Sequence, residues 1–200
     1  YKRQALTALE QNPNAVGWYD LKTRQALAVL ALIHPEIATD PDAKFAFVYI
    51  LATTSNGLVV STNFPQAEKV YAAYKKAGGR MPTDMGIGTA RGAVNKTLGM
   101  FNDLVDQWGI DNLRSFMLSD TSVGDIASVD PKLKPSGELV ATLVRGASII
   151  GPKIGNGFFS NLYGAFDKLT MDRWLVRTWG RWTGTPVSYT HLTLPTTPYV

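Results

Sequence analysis

Lys153 and Asp172 stand nineteen positions apart, each near the start of an expected helix. Both residue types can do chemistry. A lysine amine can attack an electrophilic carbon or grip a phosphate, and a carboxylate can stabilise a developing cation or activate water. Lys153 lies in Ser148-Ile149-Ile150-Gly151-Pro152-Lys153-Ile154-Gly155, and Asp172 in Thr170-Met171-Asp172-Arg173-Trp174. Gly151 permits φ > 0 or the close approach of another backbone. Pro152 presets the first helical turn while removing one N–H. The amides around Gly151, Lys153 and Ile154 then form a helix start suited to an anion such as phosphate. The same pattern also describes a tight helix–helix turn with Lys153 in water. Asp172 has a plain reading as well, because an acidic residue two positions after a Thr cap complements the helix dipole.

Helical phase adds information about Asp172. Met171, Trp174, Leu175, Thr178, Trp179 and Trp182 share one face of the expected helix Thr170–Trp182. Arg173, Arg177 and Arg181 form a separate stripe at i, i+4 and i+8, which is a solvated face or a track for phosphates. Asp172 falls at the edge of the apolar face and away from the arginines. Partial burial there is what a reactive carboxylate needs.

The elements that must position these residues read as helices. The expected spans are residues 1–10, Trp18–Ile33, Pro41–Thr53, Pro65–Ala77, 89–107, Asn112–Leu118, Glu138–Ala147 and Pro152–Tyr163. Trp18–Ile33 is expected to be well buried. Asp40-Pro41 supplies an N-cap and a proline at the first helical position. The helix it opens is apolar nearly all round and belongs at the core. Asp111 is the expected cap of the helix after it in the chain, and residues 120–137 read as turns. Gly57–Ser61 is the best strand candidate, and it is short. The fold class is therefore all-α, a compact multi-helix domain over residues 1–186. Val187–Val200 carries no charge, four threonines and two prolines. It reads as translated sequencing-adapter sequence or a low-complexity tail and stays outside the fold.

Composition excludes several classes. The chain has no cysteine, which removes disulfides, thiolate zinc sites and a cysteine-held iron–sulfur cluster from these residues. With two histidines, a His-based metal centre or triad is not expected. A net charge of +4 admits an anionic partner. No apolar run approaches the roughly 18–20 residues of a membrane helix. The chain begins Tyr1-Lys2-Arg3, so it reads as a cytoplasmic piece of a longer polypeptide. Gly86, Gly88 and Gly92 follow no strand and miss the dinucleotide fingerprint. Asn95-Lys96-Thr97 lacks the glycine that a phosphate loop requires.

These residues, in this order, resemble the helix-hairpin-helix DNA glycosylase superfamily (endonuclease III and 8-oxoguanine glycosylase-like proteins). Ile150-Gly151-Pro152-Lys153-Ile154-Gly155 matches the second half of its hairpin, and Thr170-Met171-Asp172 its catalytic aspartate segment. Phe45–Asn56 is similar to its early buried helix, ending in a loop that pushes into the duplex at Thr54, Ser55 and Asn56. The chain departs at Ile149, where the first hairpin glycine is expected, and at Ile154-Gly155, where Thr-Ala is usual. The resemblance extends over about residues 43–182 and suggests a divergent branch associated with phages or mobile elements.

The resemblance implies double-stranded DNA as partner and excision of flipped bases at the N-glycosidic bond. It implies Asp172 as stabiliser of the sugar cation or activator of the nucleophile. It makes Lys153 the nucleophile of an AP-lyase if the amine attacks C1′. Gly151, Pro152, Ile154, Gly155, Arg173, Arg177 and Arg181 would meet the DNA backbone. No organic cofactor is implied, although such hairpins hold a monovalent cation on backbone carbonyls. The alternative is a non-catalytic DNA-binding module of a larger phage or plasmid protein.

Overall fold

A computed structural model describes residues 10–11, 18–55, 58–87, 91–130, 132–165, 167–168, 170, 179–180 and 183–184. The described chain is predominantly helical, with one two-stranded ladder. No helix among the described residues is long and apolar enough to cross a membrane.

The molecule is built around α3 (Pro41–Thr54). Asp40 caps it as expected, its Oδ1 accepting the Asp42 N–H at 2.8 Å. Every residue from Phe45 to Ala52 is buried. A helix apolar on all sides needs neighbours on all sides. Those neighbours are α2 (Glu36–Thr39), α4 (Val60–Lys76), α5 (Arg91–Trp108), α6 (Ile110–Leu118) and a later hairpin. Aromatic rings fill the centre: Phe45 lies 5.9 Å from Phe101 and 6.0 Å from Phe159, the latter edge-on.

α1 (Trp18–Ile33) forms over the expected span but is not well buried. Leu30 is inside, whereas Leu21, Val29, Leu32 and Ile33 are exposed, Leu32 to 84%. The apolar residues cover a wider arc of this helix than its described neighbours, α2 and the end of the hairpin, can cover. Beyond α1, the chain turns through buried His34, whose Nε2 lies 3.2 Å from Glu68 Oε1 on α4. Glu36 accepts from Lys75 at 2.7 Å and from the Tyr71 hydroxyl at 3.2 Å, so a polar cluster fastens this corner to α4.

Several further expectations need correction. α4 starts at Val60 instead of Pro65, which lies inside the helix, and the strand candidate Gly57–Ser61 contributes its end to this helix. Asn63 carries the helix one turn earlier: its buried side chain donates to Leu51 O at 3.0 Å and accepts from the Thr54 hydroxyl at 2.7 Å. The cap of α6 is Gly109 at φ 77°, not Asp111, which pairs with Arg114 at 2.7 Å within the first turn.

Glu138–Ala147 is not a helix. Gly137–Ala141 is a short 3₁₀ turn, and Leu143–Arg145 is strand β2, paired antiparallel with β1 (Asp120–Ser122) in the register Asp120 with Arg145. Between β1 and the 3₁₀ turn lies α7 (Val123–Val129), opened by a reciprocal Ser122–Asp125 capping box. Leu139, Val140 and Leu143 are exposed, so their i, i+4 spacing marks no buried face. The β-branched Thr121 and Val144, paired across the ladder, suit it, and the ladder satisfies backbone groups through pairing across the sequence.

Candidate nucleic-acid interface

The hairpin carrying Lys153 starts directly from β2. Gly146–Ile150 forms a 3₁₀ helix, Gly151 turns the chain, Pro152–Phe159 forms a π-helix, and α8 (Ser160–Tyr163) continues it. The span Pro152–Tyr163 is as expected, although its first two turns are wider than α. The two glycines do different jobs. Gly151 has φ 110°, and a Cβ there would touch nothing within 4 Å, so its value is conformational. Gly155 provides the close approach: a Cβ would overlap the Ala147 carbonyl and stand 2.8 Å from the Ser148 nitrogen. Gly146 likewise lies against the Phe116 carbonyl, and its N–H donates to Ser119 O at 2.8 Å. Ile149, standing where the first hairpin glycine is expected, is a buried core residue.

The hairpin residues named from sequence therefore separate. Pro152 and Lys153 are exposed, and Gly151 is half-buried at the turn. Ile154 packs against the core and Gly155 is buried, so these two shape the hairpin from inside. Among the described residues no side chain caps the start of the π-helix, because its cap position is Gly151. The turn's own carbonyls are partly engaged, Ser148 O with Gly151 N–H and Gly151 O with Gly155 N–H, both at 2.8 Å. Each of these oxygens keeps a second lone pair, which a monovalent cation on the turn would use. Among the described residues no group of three or more His, Asp or Glu side chains is placed to hold a metal ion.

The wedge reading fails at Thr54. This residue is fully buried, and its hydroxyl donates to Asn63 Oδ1 at 2.7 Å, with Ile50 O 2.9 Å away as the competing acceptor. It terminates α3 and fixes the start of α4, so it is not a surface group. Ser55 is half-buried and donates back to Ala52 O at 2.7 Å. Thr54→Val should cost about 1–3 kcal/mol by leaving Asn63 short of a buried partner, which urea unfolding will measure. A loss under half of that would mean the pair is dispensable. Asn56, Asp172, Arg173, Arg177 and Arg181 lie outside the described residues. Of the aromatic residues near the hairpin and the segment after it, Phe159 is core and Trp179 is 62% exposed.

Sequence reasoning missed the groups that hold the hairpin in place. Arg145, at the end of β2, has a side chain only 13% exposed. Its guanidinium donates to Leu118 O at 2.9 Å and to both carboxylate oxygens of Asp167 at 2.8 Å. Its backbone N–H donates to Asn156 Oδ1 on the π-helix, also at 2.8 Å. Lys168 Nζ lies 3.3 Å from Asp120 and 3.7 Å from Asp167. Desolvation pushes the Asp167 carboxyl up, but backbone hydrogen bonding and the Arg145 and Lys168 charges outweigh it and leave it below the usual carboxylate value. Farther along, the Asn161 and Thr170 side chains meet at 3.2 Å, which ties the loop after α8 back to that helix. The only sequence signal for this cluster was a pair of charges, Asp167-Lys168, in an expected loop. No family model, curated protein or solved structure matches this chain.

Proposed function

We propose that the chain binds duplex DNA through the Gly146–Phe159 hairpin, with Lys153 and the amides of the π-helix start on a backbone phosphate. The observation supporting this reading is the arrangement at Gly151. A left-handed turn exposes Pro152 and Lys153 together at a helix start that no described side chain caps, while Gly155 seats the helix against the preceding one. Such a start directs N–H groups and the positive end of the helix dipole outward, and Lys153 adds a mobile donor. Contacts of this kind hold a duplex in register without reading its sequence.

Base excision is the finer part of the proposal. The segment carrying Asp172 follows Thr170, and Asn161 holds Thr170 near the hairpin's last turn. In this role Asp172 stabilises the sugar cation as the glycosidic bond breaks or activates the incoming nucleophile. Lys153 is exposed instead of enclosed in a pocket, which suits a phosphate contact better than attack on C1′ of a flipped nucleotide.

Fluorescence anisotropy with a labelled undamaged duplex over a salt series tests binding. The wild type should bind with a steep salt dependence, and Lys153→Ala should weaken binding and reduce the log–log salt slope by about 0.9, the loss of one phosphate contact. Binding unaffected by Lys153→Ala would remove the hairpin from the interface. Borohydride trapping and base release on damaged and abasic duplexes test the chemistry. Base release abolished by Asp172→Asn supports excision, and a trapped adduct lost in Lys153→Ala would make Lys153 the nucleophile after all.

A further inference from the structure

We infer that Arg145 is a positioning residue for DNA binding: it fixes the hairpin's exposed helix start relative to the loop that follows α8, without touching DNA itself. This rests on the hairpin reading above. Arg145 is bonded to three segments at once, the end of α6 before the hairpin through Leu118 O, the π-helix within it through Asn156, and the loop after it through Asp167. Lys168 and Asp120 close the cluster, so the loop is held to β1 as well.

The energetics argue for geometry as the purpose. A largely buried guanidinium carries a desolvation cost that ion pairs only partly offset, and well-packed apolar side chains of similar volume often stabilise as well or better. Here the cost is raised further, because Arg145 Nε is buried without a hydrogen-bond partner among the described residues. What an apolar side chain cannot supply is direction. Nη2 alone meets both oxygens of the Asp167 carboxylate while Nη1 reaches Leu118 O, so one rigid guanidinium plane sets the loop at a fixed direction from the end of α6. The Asn156 bond comes from the backbone of the same residue, so rotation of the π-helix about its axis and the position of the loop are coupled through one Cα. Asn156 lies three positions after Lys153 on that helix. A phosphate contact made there holds its direction only if the helix does not roll.

The test uses the full chain, the undamaged duplex and two variants of opposite electrostatic sense. Arg145→Lys keeps the charge and loses the second nitrogen, so it cannot hold Leu118 O and Asp167 in one plane. Asp167→Asn removes a negative charge, which on electrostatic grounds alone would tighten DNA binding. Positioning predicts that both variants bind roughly tenfold more weakly, that neither changes the salt slope, and that the double variant is no worse than the weaker single one. Circular dichroism and melting curves establish that binding is measured on folded protein. If Arg145→Lys fails to fold, Asp167→Asn decides alone, because its carboxylate is half-exposed and its charge effect has the opposite sign. Three results overturn the inference while leaving the hairpin reading intact: wild-type affinity in both variants, a lower melting temperature without loss of affinity, or a salt slope reduced by about one in Arg145→Lys. The last would make Arg145 a phosphate contact. Absence of DNA binding in the wild type would instead show that the hairpin reading itself fails.

Discussion

Gly155→Ala should destabilise the protein by about 3 kcal/mol or more, shifting its urea midpoint far below that of the wild type. The added methyl would overlap the Ala147 carbonyl and lie 2.8 Å from the Ser148 nitrogen. Both obstacles are backbone, so no side-chain rotation relieves the clash. The two helices of the hairpin must separate, or the π-helix must shift along its axis and draw Phe159 out of the core. Gly151→Ala provides an internal comparison. Its methyl would meet nothing within 4 Å, and the cost is backbone strain at φ 110°, on the order of 1–3 kcal/mol. The expected order is therefore Gly155→Ala worse than Gly151→Ala. The reverse order would mean that the hairpin is held by its turn and not by the helix contact.

Phe159→Ala should cost about 3–5 kcal/mol, as truncation of a buried aromatic ring does. Phe159 is fully buried, meets Phe45 edge-on at 6.0 Å and stacks on Tyr163 at 5.8 Å. Phe45 is itself at the centre of α3 and of the aromatic cluster. Removing the Phe159 ring opens a cavity between hairpin and core that rigid helix backbones close only in part. Phe159→Leu refills most of that volume and should recover more than half of the loss. Calorimetric or urea unfolding checks both. A loss under about 1 kcal/mol for the alanine variant would mean that the site collapses freely and that the hairpin is not anchored by this ring. Lys153→Ala, by contrast, removes an exposed side chain and should leave stability within about 0.5 kcal/mol of wild type, so DNA affinity and folding can be separated within one hairpin.

The readable parts of this fold share a cause. Asp40-Pro41, the all-apolar run Phe45–Ala52 and the turn at Gly151 follow from neighbouring residues alone, because capping, hydrophobic run length and left-handed φ are local properties. Two misreadings share the opposite cause. Pro65 marked a helix start by local rule, yet the Asn63–Thr54 pair, nine positions apart in sequence, sets the start a turn earlier. Leu139, Leu143, Val140 and Val144 have helical spacing, yet pairing with residues 120–122 pulls Leu143 and Val144 into a ladder. Apolar spacing shows which side chains fall in line and does not show whether a surface exists to receive them, as the open face of α1 also demonstrates.

For the site, the sequence by itself determined that a lysine stands at a glycine-turned helix start, that no thiolate metal centre exists in the chain, and which residues flank the turn. The tertiary structure decided the rest. It assigned φ > 0 to Gly151 and the helix contact to Gly155, buried Thr54 and Gly155, and left Pro152 and Lys153 at the surface. It also brought Arg145, Asn156 and Asp167 together from positions as many as 22 apart in the chain. The physical reason is that a turn's dihedral preference resides in one residue, whereas close approach, burial and an ion pair between distant segments are properties of two surfaces, and only the folded chain specifies the second.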